Sequence, residues 1–247
     1  MYQPLLSLHY LLRGFTLLTH PQLRRFVLIP LLINTLFFSG LIVLSMRLFQ
    51  HITTWLETWL PAWLVWLEWI LWLVFTLGVI GVLIYTFMLV ANIIAAPFNG
   101  LLAEKVQHIF TNDVLPTRTH FIKIATNSCL RQVHILGYYL IRIIALLILF
   151  FIPIIQVIAT PLWFSFNAWL LNLQYMDYVM DNNETSFPQM RVQLKQHRWL
   201  HLEFGMFVLL LAAIPVVNFL VMPAAVIAST LIWIDFYSPS VKSKIST

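Results

Sequence analysis

Ile214-Pro-Val-Val-Asn-Phe-Leu-Val-Met-Pro223 lies inside an apolar run from Phe204 to Tyr237 and interrupts it with two prolines eight positions apart. The same punctuation occurs earlier, in Ile152-Pro-Ile-Ile-Gln-Val-Ile-Ala-Thr-Pro161. Both copies read Ile-Pro, two β-branched residues, a side-chain amide, four more residues and a second proline. Each leads into an apolar run that ends on an acid beside aromatics, at Asp177-Tyr178 and Asp235-Phe236-Tyr237. Hydrophobic segments broken at matching points are how membrane transporters place irregular backbone at depth.

The composition sets the solvent. The chain has 247 residues, of which 61% are hydrophobic and 9% charged, against about 25% charged in soluble proteins. The expected class is therefore an all-α integral membrane protein of one domain, residues 1–247. The formal charge of +5 is spread thinly, without aromatic-interleaved basic patches, so no nucleic-acid partner is expected. The single cysteine, Cys129, excludes a disulfide within the chain and any multi-cysteine metal site.

In chain order, residues 1–20 read as an interfacial amphipathic helix with an apolar stripe of Leu5, Leu8, Leu12, Phe15 and Leu18. His9, Arg13 and Gly14 interrupt that stretch, so no cleavable signal is expected. Residues 26–46 form a first span, 21 residues without a charge, or about 31 Å of helix. Between Arg47 and Glu68 tryptophan is dense. Six of the ten tryptophans lie between Trp55 and Trp72, which reads as an interfacial helix turning into the next span. Residues 69–96 form that second span. Residues 97–135 read as a water-facing, helical, cytoplasmic portion, with a loop at Thr111–Pro116.

Residues 136–178 and 204–237 contain the two broken stretches. In the second, Phe204–Ile214 and Ala224–Ile234 have eleven residues each, about 16 Å as helix. The hydrocarbon core is about 30 Å thick, so each half reaches only about the midplane and the pair is expected to re-emerge on the side it entered. By analogy the first pair does the same. The predicted architecture is two long transmembrane helices plus two proline-broken, half-penetrating re-entrant hairpins. Thirteen of the fourteen Lys and Arg then fall on one side, with Arg47 on the other, which makes the N-terminal side cytoplasmic.

Candidate chemistry concentrates on anions. If Pro161 and Pro223 open half-helices, two positive helix ends lie at depth. Thr160 would cap the first, and the amides Asn34, Gln156 and Asn218 would line an anion pathway. The alternative is simple helix breaks whose amides pair locally. Arg24 and Arg25 stand at the mouth of the first span. They read either as lipid-phosphate anchors or as an oxyanion site built from guanidinium forks. Arg142, Asp177 and Asp235 lie within or at the ends of apolar runs, and are candidates for intramembrane ion pairs. His197 and His201, four apart, lack the companions a zinc site needs. No catalytic group, cofactor or metal is expected.

Several stretches together resemble one family. Leu23-Arg-Arg-Phe-Val-Leu-Ile-Pro-Leu-Leu-Ile-Asn34, Ala95-Ala-Pro-Phe-Asn-Gly-Leu-Leu-Ala-Glu104 and the two Ile-Pro repeats look like the CysZ family of bacterial sulfate permeases. The resemblance implies a multi-pass inner-membrane protein that brings sulfate into the cytoplasm for cysteine synthesis, assembled as a homo-oligomer. It also implies a sulfate-binding Gly-Leu/Ile-Arg-Arg run, which corresponds here to Gln22, Leu23, Arg24 and Arg25. The arginines match; Gln22 stands where the family has glycine. The rival readings are a membrane scaffold or regulator binding anionic lipid, and a permease for thiosulfate, molybdate or selenate.

Overall fold

A computed structural model describes residues 5–59, 68–111, 135, 137–149, 151–152 and 156–238. Among these the chain is helical, without strands. The helices are α1 (Leu6–Leu17), α2 (Arg24–Trp59), α3 (Glu68–Thr111), α4 (Gly137–Leu149), α5 (Gln156–Asn182), α6 (Phe187–Gln196), α7 (Arg198–Ala212) and α8 (Pro215–Phe236). The loop expected at Thr111–Pro116 and most of the cytoplasmic portion expected over 97–135 fall outside the described residues beyond Thr111, as do Trp63, Trp66, Cys129 and Pro153.

Two compact units divide the chain: Arg25–Phe98, and Met1–Arg24 with Asn99–Thr247. The first consists of long apolar helix. α2 takes in the span expected over 26–46 but does not stop at Arg47, and runs on to Trp59 as 36 continuous residues. Nothing between Met46 and Trp59 breaks a helix, because Trp, Leu and Thr all continue one at small cost. α3 likewise passes through the second expected span and through Pro97 to Thr111. Phe49 of α2 touches Trp72 and Phe75 of α3, at ring-centroid distances of 4.4 and 5.3 Å. Elsewhere α2 turns its apolar side chains outward: Leu28, Leu32 and Leu36 recur at one-turn spacing and are more than half exposed. Arg24–His51 is long and apolar enough to cross a membrane and has no burial of its own.

The second unit is a bundle around α8. Residues 223–233 of that helix are buried without interruption, the pattern of a helix enclosed on every face. α5, α7 and α1 enclose it. Glycine sets two of the crossings. A methyl group on Gly205 of α7 would strike the Ala168 carbonyl of α5, and one on Gly14 of α1 would strike the Ala224 carbonyl of α8. α1 buries Ser7, Tyr10, Leu11 and Gly14 against the bundle. Its predicted stripe points elsewhere, with Leu5 and Leu12 more than half exposed.

The prolines break the chain at a different point from the one expected. Pro161 and Pro223 do not open half-helices; both lie inside longer ones, α5 and α8. In the second repeat the first proline provides the punctuation instead. Pro215 takes the first position of α8, after Ile214 in extended conformation (φ −92°, ψ 111°), as steric conflict with a following proline requires. The described part of α5 begins at Gln156, with Pro161 inside it. An interior proline removes one hydrogen bond, which an apolar helix packed in protein tolerates. α8 therefore has 22 residues, about 33 Å, and the eleven-residue limb expected from Ala224 is not its true length. Thr160 is consequently not a cap. It sits in the first turns of α5, where its Oγ1 donates to the Gln156 carbonyl at 3.2 Å.

Candidate anion site

The Gln22–Arg25 run forms the entry to α2. After α1 a turn is closed by the Leu23 and Arg24 N–H groups, both donating to the His20 carbonyl at 2.9 and 3.0 Å. Gln22 N–H donates to His20 Nδ1 at 3.3 Å. Leu23 is fully buried and anchors the turn, while Gln22, Arg24 and Arg25 are exposed. Arg25 lies over the Phe26 ring, 4.9 Å from its centroid. The two arginines are thus the first two residues of a 36-residue helix, at its positive end, where backbone N–H groups and guanidinium forks suit an oxyanion.

The proposed pathway residues divide between the units. Asn34 is half-buried in α2. In the bundle, Ala168 lies beside Gly205 and Asn172 beside His201, so α5 and α7 run antiparallel. The turn at Ala213–Ile214 then reverses α8. The N-termini of α5 and α8 consequently point to the same end of the bundle. Exposed Gln156 opens α5 and exposed Asn218 stands in the first turn of α8. Pro161 is exposed and Pro223 buried.

Of the candidate ion-pair residues, Arg142 Nη1 donates to the Tyr138 carbonyl at 3.2 Å, and its guanidinium stacks on the Tyr138 ring. Asp235 accepts from the Tyr10 hydroxyl, Oδ2 at 2.6 Å. Burial, reinforced by that hydrogen bond, pushes the Tyr10 pKa up, so the phenol holds its proton and donates. Asp177 is half-buried on α5.

His197 and His201 do not face a common ligand. His197 joins α6 to α7, its ring 5.0 Å from that of Phe236. His201 is completely buried. Its Nδ1 is 2.9 Å from Asn172 Oδ1 and its Nε2 is 2.7 Å from the Tyr237 hydroxyl. An amide oxygen only accepts, so Nδ1 carries the proton and Nε2 accepts from tyrosine. Burial, with a smaller contribution from His197, lowers the His201 pKa to about 3; the ring is neutral. Among the described residues no group of three or more His, Cys, Asp or Glu is arranged to hold a metal ion. Spacing alone could not reveal this histidine's role, because its partners are 29 and 36 residues away.

The sulfate transporter CysZ/etoposide-induced protein 2.4 family matches residues 10–223. The chain belongs to that family. The sulfate transporter CysZ of Pseudomonas fluorescens (strain Pf0-1) is 42% identical over 228 residues, covering 91% of each chain. That of strain SBW25 is 47% identical over 228 residues, 91% of this chain and 89% of its own. The Pectobacterium atrosepticum sulfate transporter CysZ is 39% identical over 237 residues, 94% of this chain and 85% of the relative. The family match takes in α2 with its paired arginines, both Ile-Pro repeats and α7, and ends on Pro223 within α8.

Proposed function

We propose that this chain is a sulfate permease of the bacterial inner membrane, carrying sulfate into the cytoplasm for assimilation and cysteine synthesis. The observation that carries the reading is whole-length similarity to proteins named sulfate transporter, at 39–47% identity. Arg24 and Arg25 are the binding pair, with Gln22 and Leu23 shaping the turn below them. A sulfate dianion entering hydrocarbon unassisted faces a prohibitive desolvation cost. Guanidinium forks and helix N-termini replace its water, and exposed donors bind loosely enough to release it.

In this reading α2 and α3 cross the bilayer, while the Leu5–Leu12 side of α1 lies in its surface. The α7–α8 pair is re-entrant on the length of its shorter limb: α7 has 15 residues, about 22 Å, too short for a core of about 30 Å. α8, at about 33 Å, is long enough to cross alone, but it starts from the depth that α7 reaches and returns to the same side. The α4–α5 pair follows it by the sequence repeat. The ends of α5 and α8 bearing Gln156 and Asn218 form the path, and copies of the chain associate. The Arg47 side is external and the remaining basic residues face the cytoplasm.

Binding of sulfate to the purified chain tests the arginine pair. Charge-assisted hydrogen bonds contribute about 1.5–3 kcal/mol each, so Arg24→Ala/Arg25→Ala should weaken sulfate affinity at least tenfold, about 1.4 kcal/mol. Equal affinity in the two proteins would remove these residues from the site.

A further inference from the structure

Tyr138 of α4 holds a guanidinium from each of two helices against one ring. Arg142, one turn along α4, places Cζ 3.6 Å from the ring centroid, and Arg191 of α6 places its own at 4.3 Å. The ring is itself fixed. Phe187 meets it edge-on at 5.7 Å and Trp169 Nε1 donates to its hydroxyl at 3.1 Å. The two cations share one centroid, so they are no more than about 8 Å apart and repel each other.

Among the described residues their donors are largely unused. Among the described residues, the partners of the two guanidiniums are the Tyr138 carbonyl and the faces of Tyr138 and Phe187, with no carboxylate among them. Arg191 Nε is enclosed and has no hydrogen-bond partner among the described residues. A guanidinium has five N–H donors, and an enclosed, unpaired one is costly. Stacking fixes the plane of each fork and leaves its edge free for a planar pair of oxygens. Both side chains are only half-buried, so a ligand can reach them.

We propose that Arg142 and Arg191, held by Tyr138, form a second oxyanion site, built to take a tetrahedral sulfate or phosphate group. The group is either sulfate itself or the phosphate of an anionic lipid headgroup. The site uses neither Arg24 nor Arg25 and does not depend on transport through them.

Arginine-specific modification by phenylglyoxal, read by peptide mass mapping on the intact chain in detergent, tests the site without disturbing the fold. One arm compares sodium sulfate with sodium chloride at equal ionic strength. The other compares micelles containing phosphatidylglycerol with micelles containing phosphatidylcholine. At ten times its Kd a ligand leaves only 1/(1 + [L]/Kd) of sites open, so modification of Arg142 and Arg191 should slow about tenfold. Exposed Arg47 serves as the reference. Protection by sulfate identifies the transported ion as occupant; protection by phosphatidylglycerol alone identifies a headgroup. Protection by neither beyond that seen at Arg47 overturns the site. The Arg24→Ala/Arg25→Ala protein should retain the protection, and its disappearance there would also overturn an independent site.

Discussion

His201 shows how a single buried side chain ties the bundle to pH. Its neutral ring joins Asn172 of α5 to Tyr237 at the end of α8. With a folded pKa of about 3 against about 6.5 when exposed, the unfolded chain takes up the proton first as pH falls. The contribution is complete above about pH 6.5 and is lost as pH falls below it, by up to about 1.4 kcal/mol per unit. Thermal unfolding in detergent at pH 7.5 and pH 5 should show a marked loss of Tm, and His201→Gln should flatten that dependence. Equal slopes would place the titrating group elsewhere. At this scale the sequence was partly legible. Arg24 and Arg25 could be singled out because adjacent arginines at the mouth of an apolar helix read either as lipid-phosphate anchors or as an oxyanion site, and the sulfate-binding measurement separates the two. Arg191 could not, since the polar stretch around it gives no sign that Tyr138 and Phe187 will stack on its guanidinium.

Helices and their crossings show where pattern reading reaches its limit. Apolar length identified α2 and α3, and the paired repeats identified two helix pairs. The prolines misled about where each limb begins, because proline marks a helix start and an interior kink with the same letter. Only the extended backbone at Ile214 separates the two cases. Glycine is similarly ambiguous. Gly205 and Gly78 both sit in apolar helices, yet a methyl group on Gly205 meets the Ala168 carbonyl and one on Gly78 meets open space. Gly205→Ala should therefore lower stability by about 1–3 kcal/mol or more, through forced separation of α5 and α7. Gly78→Ala should be neutral or stabilise by about 1 kcal/mol, from helix propensity. Detergent unfolding of both variants checks this, and a tolerated Gly205→Ala would mean that α5 and α7 can separate at small cost.

Across the whole molecule, a single balance governs the architecture. α2 leaves Leu28, Leu32 and Leu36 uncovered, which water does not permit on this scale and lipid does. The bundle encloses α8 within protein and turns the N-termini of α5 and α8 to one end, which carries exposed Gln156 and Asn218. Membrane character and helix content were therefore readable from composition and length. The enclosure of α8 was not, because an all-apolar helix looks the same whether protein or lipid surrounds it.

Uptake of radiolabelled sulfate into liposomes containing the purified chain tests the central claim most directly. Sulfate should enter faster than into empty liposomes, and Arg24→Ala/Arg25→Ala should reduce the difference at least tenfold, in line with about 1.4 kcal/mol or more of lost anion binding. Uptake by the unaltered chain no faster than by empty liposomes would contradict the permease reading itself.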